Sequence, residues 1–446
     1  MGGHVHVAGV AGVGMSALAQ ALAWRHGRVT GSDRHWDRGA KLPIFGALRA
    51  AGVEMVAQDG GAVGADTEAV VYSTAIEEGN PEFLAARRLG VPLRHRAEML
   101  AELARGRQVL AVAGTAGKTT TTGMLGWALE QLGADPTVVN GGALVDWAGP
   151  ERVGNARRGG EDSPWVLEVD ESDRSLLNFR PEWSILTNVS QDHFSLEEVR
   201  ALFRTYAGQV GRGIVCGAGV GGVLGTPGAE VHELAERPER DGEGFYVRWR
   251  GCRLAVRQPG EHNALNALAA AELCARLGYG AERVAEALGR FWGIQRRLER
   301  VDGGGRVRVV DDYGHNPAKL AAAWRAVSGP EGRVLGVWRP HGYGPLRSML
   351  EPLAEAFAGV FREGDRLWLL PVYDAGGTAD RTIGSEALAG ALRARGVEAA
   401  TPGGYGELGD EIAREAREGD VVLVMGARDP ELPVFARAAA ARLNGR

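Results

Sequence analysis

The chain has 446 residues, 45% of them hydrophobic and 24% charged, with a formal net charge of −5. That length exceeds one ordinary core and that composition belongs to a folded globular protein, which excludes a disordered chain and calls for several domains. No apolar run approaches the roughly 20 residues of a spanning helix, and no basic stretch is able to hold nucleic acid against physiological salt, so neither a membrane nor a nucleic acid is an expected partner. The N-terminus passes from Met1-Gly2-Gly3 into a strand-like run without a basic signal region, and Cys216, Cys252 and Cys274 are widely spaced. We therefore expect a cytoplasmic protein whose cysteines pack rather than react.

In chain order, the apolar run His4 to Ala8 leads through Gly9-Val10-Ala11-Gly12-Val13-Gly14 into a helix-like stretch from Met15 to about Arg25. That is strand, glycine turn, helix. A second strand, Arg28 to Ser32, ends at Asp33, and another, Ala69 to Tyr72, runs into Ser73-Thr74-Ala75, which completes the pattern of a doubly wound domain over residues 1–105. After Arg105-Gly106-Arg107 the pattern restarts with strand Gln108 to Ala113, the glycine loop Gly114 to Gly117, and a helix from about Thr119 to Leu132 closed by Gly133. Strands Trp165 to Val169 and Ser184 to Thr187 follow, each ending in polar residues where parallel sheets place ligands. The glycine-rich stretch 208–260 reads as hairpin-like, and helices Asn263 to Leu277 and Ala281 to Phe291 close a second domain, 106–295. A third alternation, 296–446, opens with strand Val307 to Val310 and Asp311-Asp312-Tyr313-Gly314-His315, with Asn316 as N-cap and Pro317 in the first helical position. Its later strands are Val334 to Trp338, Arg366 to Leu370 and Val421 to Met425, so the expected fold class is α/β in three domains.

The strongest chemical signal is Gly114-Thr115-Ala116-Gly117-Lys118-Thr119-Thr120 between an apolar strand and a helix. Glycines let backbone N–H groups approach phosphate oxygens, the helix N-terminus adds partial positive charge, and Lys118 supplies a full one. Lysine occurs elsewhere only at 41 and 319, every other cation being arginine, and Val112 stands where the general phosphate-loop pattern has glycine, so the loop is a variant. Glu168, Asp170, Glu171 and Asp173 crowd the end of the next strand. Alone they read equally as a solvated acidic loop; opposite a phosphate loop they suit Mg²⁺, which needs only one or two protein oxygens. Asp192-His193 lies past the strand after that, where His193 is placed for a second metal.

Four segments in order, Gly114 to Thr122, Glu168 to Asp173, Thr187 to His193 and Gly260 to Asn266, resemble the central-domain motifs of the Mur ligase superfamily. Gly9 to Ser16, Ser73 to Ile76, Arg296-Arg297 and Asp311 to Pro317 resemble its alanine-adding members in particular, and the likeness covers nearly the whole chain. It implies an N-terminal Rossmann-like UDP-binding domain, a central P-loop ATPase-like domain and a C-terminal Rossmann-like domain. It further implies ATP and Mg²⁺ as cofactors and UDP-N-acetylmuramate and an amino acid as substrates. The acceptor carboxylate attacks the γ-phosphate, and the incoming amine displaces the resulting acyl phosphate, work that asks the protein chiefly for positioning and electrostatics. By position, Lys118, Glu168, His193 and His315 form the implied catalytic set. Gly114, Thr115, Gly117, Lys118, Thr119 and Thr120 hold ATP phosphates; Thr119 and Glu168 hold one Mg²⁺, and Glu168 with His193 a second. His262 and Asn266 meet the adenine end, with Arg297 and Asp312 also in the nucleotide set. The substrate set is Gly12, Gly14, Met15, Ser16, Asp33, Ser73, Tyr313, His341 and Arg347. A carboxylated lysine near the metals, as some relatives use, has no counterpart between Thr119 and Ala318. The third domain is expected to close over ATP about a hinge near Gly293 to Arg300.

Against the alanine-adding pattern, Ala116 and Asn316 replace histidines and Ala11 a glycine, and Gly342 and Pro345 stand where arginines near the incoming amino acid are expected. Either the amino acid is not L-alanine or nearby Arg347 substitutes for one of them. A recycling ligase that adds a ready-made murein tripeptide is an alternative inside the superfamily, set back by Asp170 to Ser175, which reads like the alanine-adding form. A dinucleotide-dependent oxidoreductase is the alternative from another class, set back by the spacing of Gly9, Gly12 and Gly14. A binding module without turnover is set back by intact Lys118, Thr119, Glu168 and His193. Taken as an exposed loop lysine, Lys118 is expected to tolerate alanine in folding while turnover is abolished.

Overall fold

A computed structural model of the chain describes residues 3–25, 27–190, 194–225, 228–241, 244–329, 332–374 and 380–445. The main division into two compact units falls between Ile294 and Gln295, inside the segment where the sequence suggests a hinge.

The first unit holds two parallel sheets. In one, β1 (His4–Ala8), β2 (Arg28–Ser32), β3 (Val53–Val56), β4 (Thr67–Tyr72) and β5 (Leu93–His95) lie in the order β3-β2-β1-β4-β5. Every residue of β1 is buried, including His4 and His6, which alternate onto one face. Their rings are satisfied across the sheet: His4 Nε2 and His6 Nδ1 each lie 2.8 Å from Thr30 Oγ1, His4 Nδ1 lies 2.9 Å from Thr67 Oγ1, and His6 Nε2 lies 3.2 Å from Ser32 Oγ.

The other sheet contains β6 (Val109–Ala113), β7 (Thr137–Val139), β8 (Ala156–Arg157), β9 (Trp165–Glu168), β10 (Trp183–Leu186), β11 (Gly213–Cys216) and β12 (Glu230–Glu233), in the order β12-β11-β10-β6-β9-β7-β8. Only the short β8 is antiparallel to its neighbour. The two sheets share one apolar core, which runs from Val5 through Leu100 to Ile214. Asn155 pins them polarly: its amide accepts from Gln20 Nε2 at 2.9 Å and donates to Val13 O at 2.8 Å and Ser16 Oγ at 2.9 Å.

The stretch 208–260 departs from the hairpin reading in its first half. The apolar, fully buried Gly213–Cys216 joins the parallel sheet beside β10, and the more exposed edge strand Glu230–Glu233 extends it in parallel, since parallel partners carry no local turn signal. Only afterwards come β13 (Glu239–Asp241), β14 (Gly244–Trp249) and β15 (Cys252–Ala255), a separate ribbon in which β14 and β15 pair antiparallel.

The second unit is a six-stranded sheet of β16 (Glu299–Arg300), β17 (Arg308–Asp312), β18 (Val334–Trp338), β19 (Arg366–Leu369), β20 (Ala399–Ala400) and β21 (Val421–Met425), in the order β16-β17-β21-β18-β19-β20. Helix Pro317–Val327 begins as expected, with the Asn316 side chain accepting from Lys319 N at 2.9 Å and Pro317 in the first turn. Among the described residues no helix is long and apolar enough to cross a membrane.

Candidate active site

In the seven-stranded sheet β6 lies between β10 and β9, so the loop after β6 is flanked by the polar residues that end those two strands. Gly114 takes φ +132°, and a Cβ there would come 2.1 Å from Thr187 Oγ1; Gly117 takes φ +84°, and its Cβ would come 2.7 Å from Asn266 Oδ1. Both positions need glycine for conformation and for space. Helix Lys118–Gln131 then starts at Gly117 without a side-chain cap, which leaves its first amides for an anion. Asn188 braces the loop, accepting from Ala116 N at 3.0 Å and donating to Ala116 O at 2.9 Å, while Thr115 Oγ1 lies 2.6 Å from Asn188 Oδ1 and 2.7 Å from Ser190 Oγ.

Lys118 is not the exposed lysine the sequence suggests. Its side chain is 14% exposed, and its ammonium donates to Glu171 Oε2 at 2.6 Å and to Gly114 O at 2.8 Å, with Asp170 Oδ1 at 3.9 Å. The cause is the neighbouring strand: β9 delivers Glu171, itself 3% exposed, under the phosphate loop. Burial raises the Glu171 pKa even though Lys118 pulls the other way. Burial also opposes ionisation of Asp170, but Lys118, the Ser172 N–H and Arg96 together outweigh it and hold Asp170 below its ordinary value. Thr119 Oγ1 donates to Glu168 Oε1 at 3.1 Å, and the other Glu168 oxygen accepts from Gly141 N at 2.7 Å. Gln191, Asp192 and His193 lie outside the described residues.

A cavity of about 340 Å³ runs from the first glycine turn to this acidic edge, lined by Gly12, Gly14, Met15 and Ser73 at one end and Asn140, Glu168 and Asp170 at the other. Two members of the substrate set are engaged internally. Ser16 is fully buried and donates to Val13 O at 2.9 Å, and Asp33 accepts from Ala11 N at 3.2 Å and His35 N at 2.9 Å, which ties the glycine turn to β2. Thr120 is 8% exposed in the first helical turn, His262 is exposed, and Asn266 projects toward Gly117. Arg96 is a wall residue that no motif announces: it donates to Asp170 Oδ2 at 3.1 Å, and its Nη1 would lie 2.8 Å from a Cβ on Gly14. It starts helix Arg96–Leu103, far in sequence from every phosphate motif, so only packing reveals it.

In the second unit, β21 separates β17 from β18, and the loops after those two strands meet over its end. The His315 and His341 rings pack edge to face at 5.2 Å, and Tyr313 sits under both Arg296 and Arg297, at 5.2 and 5.3 Å. Burial, helped by Lys319, lowers His315 to about 4, and burial lowers His341 too, whose Nδ1 is buried without a hydrogen-bond partner. Asp312 accepts from Leu298 N at 2.9 Å and Gly314 N at 2.7 Å, so it braces the backbone around Tyr313. Arg347 is paired at the surface with Asp380 Oδ2 at 2.9 Å and Thr382 Oγ1 at 2.9 Å. Arg428, in the loop after β21, is exposed in the left-handed conformation at φ +64°, with no ion-pair partner among the described residues and its charge acting on His341. Its neighbours are fixed: Gly426 N donates to Asp312 O at 3.1 Å, and Asp429 is paired with Arg339.

Residues 4–108 match the Mur ligase family catalytic domain, 112–199 the Mur ligase middle domain, and 296–428 the Mur ligase glutamate ligase domain. The chain is 35% identical over 458 residues to a UDP-N-acetylmuramate--L-alanine ligase of Rhizobium meliloti (strain 1021), covering 95% of this chain and 94% of that protein. It is 33% identical to the protein of the same description from Novosphingobium aromaticivorans, over 96% and 94% of the two chains. Among solved structures it superposes on the UDP-N-acetylmuramate-alanine ligase of Thermotoga maritima with a TM-score of 0.81 and 26% identity over 99% of each chain. A murein peptide ligase of Psychrobacter arcticus shares the fold, with a TM-score of 0.69 at 21% identity over 100% and 99% of the two chains.

Proposed function

The chain belongs to the Mur ligase family, and on that premise we propose that it joins the carboxylate of UDP-N-acetylmuramate to an amino acid, L-alanine by preference, with hydrolysis of ATP to ADP, in peptidoglycan precursor synthesis. The observation that carries this reading is the single cavity that leads from the first glycine turn to Glu168, beside Lys118 and Thr119 of a glycine loop whose helix amides are uncapped. An acid group carried on a nucleotide bound at one end would reach a phosphate held at the other.

In this reading Lys118 and the loop amides hold ATP phosphates, and Glu171 and Asp170 keep the ammonium placed until ATP arrives. Thr119 and Glu168 suit Mg²⁺, being two hard oxygen donors 3.1 Å apart at the mouth of a phosphate loop. When bound, the ion neutralises charge that develops on the transferred phosphate. The family resemblance assigns His193, which lies outside the described residues, to a second ion with Glu168, and Asn266 and His262 to the nucleotide. The substrate amine is taken at the carboxyl edge of the six-stranded sheet by Tyr313, His341 and Arg428, beside His315, which burial keeps neutral at pH 7. The architecture is read as three domains, 1–105, 106–295 and 296–446, and the enzyme as cytoplasmic, in keeping with its three free cysteines.

The test is phosphate release. It is expected only with ATP, Mg²⁺, UDP-N-acetylmuramate and one amino acid together, and a screen of all amino acids and the murein tripeptide identifies the amine. Phosphate release indifferent to the acceptor, or steady NADH turnover without ATP, refutes the reading.

A further inference from the structure

We propose that Arg96 binds an oxyanion of the acceptor in the cavity and does so by leaving Asp170, its ion-pair partner at 3.1 Å. The inference rests on the ligase reading for the identity of the anion. Its geometry stands on the cavity itself.

Among the residues lining the cavity Arg96 is the one cation, set against two carboxylates, Glu168 and Asp170. A nucleotide diphosphate or a carboxylate entering such a space is repelled unless a positive group meets it, and desolvation makes that demand stronger. Arg96 is placed to meet it. Its side chain is 30% exposed, with one arm of the guanidinium on Asp170 Oδ2 at 3.1 Å and the other against Gly14. A side chain at Gly14 would come 2.8 Å from Nη1, so the glycine makes room for the arginine at the spot where helix Val13–Ala23 begins without a side-chain cap. The bare helix start and the planar fork together form a two-part oxyanion site.

Asp170 is the competitor. It faces Arg96 with one oxygen, while the other accepts from Ser172 N at 3.1 Å and lies 3.9 Å from Lys118 Nζ. The carboxylate is therefore shared between the acceptor end and the phosphate end of the site, and an anion that takes Arg96 must take it from Asp170. Removing that carboxylate frees the guanidinium and removes one negative wall charge.

Calorimetry with UDP-N-acetylmuramate in the absence of ATP tests this. Arg96→Ala is expected to bind about 10- to 100-fold more weakly, Arg96→Lys to recover part of the loss, and Asp170→Asn to bind more tightly than the parent. UDP-N-acetylglucosamine, which shares the diphosphate but lacks the carboxylate, identifies the oxyanion: an equal loss for both ligands assigns the diphosphate, a loss confined to UDP-N-acetylmuramate the carboxylate. In turnover, Arg96→Ala raises the acceptor KM and leaves the ATP KM in place. Thermal melts within a few degrees of the parent show that each variant folds, and Arg96→Lys answers the question if Arg96→Ala does not. Unchanged binding on removing the charge, unchanged or weaker binding in Asp170→Asn, or a fall in kcat with no change in acceptor KM overturns the proposal while leaving the ligase reading intact. A parent protein that binds neither UDP ligand overturns both.

Discussion

Replacing Lys118 by alanine should unfold the first unit more easily as well as stop turnover. The ammonium sits between Glu171 Oε2 at 2.6 Å and Gly114 O at 2.8 Å, with the Glu171 side chain only 4% exposed. Breaking a buried pair by deleting one partner typically costs about 3–5 kcal/mol, because the other charge is left without compensation. Here part of the cost is relieved, since Glu171, already raised by burial, takes up a proton once the lysine is gone. A loss of about 2–3 kcal/mol is the resulting expectation, or roughly 3–5 °C in Tm for a unit of this size. The pH dependence has a definite sign. A carboxyl whose folded pKa lies above its unfolded value contributes stability that is full below the unfolded value and fades as pH rises through the folded one. The defect of Lys118→Ala should therefore be larger at pH 8 than at pH 5, and Lys118→Ala/Glu171→Gln should melt above Lys118→Ala at pH 8. Differential scanning calorimetry at the two pH values reads both effects. A Lys118→Ala protein that melts with the parent at pH 8, or a double variant no better than the single one, refutes the argument.

Glu168→Gln keeps an acceptor for the Gly141 N–H but loses its charge, so phosphate release should fall by about 100-fold or more and need more Mg²⁺, with Tm near the parent value; an unchanged Mg²⁺ titration contradicts the metal assignment. Arg428→Ala should raise the KM for the amino acid by about 10- to 100-fold and leave those for ATP and acceptor alone, and steady-state kinetics with each substrate varied would falsify this if all three move together. His6 is held down to about 4 by burial and by His4, so its contribution to stability is present above its unfolded value near 6.5 and is lost as pH falls toward 4. Asp311, raised to about 6 by burial, works oppositely in the second unit, with stability lost as pH rises from about 4 to 6. Chemical denaturation between pH 4 and 6.5 should show the acid loss of the first unit reduced in His6→Gln; an unaltered slope removes His6 as its source.

The phosphate loop was legible because its chemistry is local. An apolar strand, glycines at the turn and a lysine opening the helix are neighbours in sequence, and Gly114 and Gly117 do prove to have no room for a side chain. Glu168 was legible because a parallel sheet sends every strand's carboxyl end to the same edge. What stayed hidden is what only packing across the sheet decides. Glu171 reads as one more acid in a solvated run, yet the bend after β9 turns it inward under Lys118, and this inverts the expectation that the lysine is dispensable for folding. Arg96 begins an ordinary helix, and its neighbour Asp170 is 74 residues away. The apolar Gly213–Cys216 looks like one arm of a hairpin because a parallel partner leaves no turn beside it.

The second unit shows how a missing charge and an extra one belong together. Gly342, where the family resemblance leads one to expect arginine, takes φ +154°, a backbone that disfavours any side chain, and it precedes a short helix in which Pro345 lies 3.4 Å from the position its Cβ would take. The loop after β18 is thus shaped around glycine, and restoring an arginine there would distort it. Arg347 is in an exposed ion pair with Asp380 and bonds Thr382, contacts weak enough to give way to a substrate carboxylate. Arg428 adopts a left-handed conformation that costs a non-glycine residue about 1–2 kcal/mol, and as an exposed side chain it recovers none of that by packing. Its neighbours Gly426 and Asp429 are tied to Asp312 and Arg339, so the strain is imposed by a framework fixed on either side of it. Under the proposed function, a cation kept there at a cost, with its charge acting on a histidine that has an unpartnered buried nitrogen, is suited to a carboxylate that arrives with the substrate, and would supply from the loop after β21 the charge absent from the loop after β18.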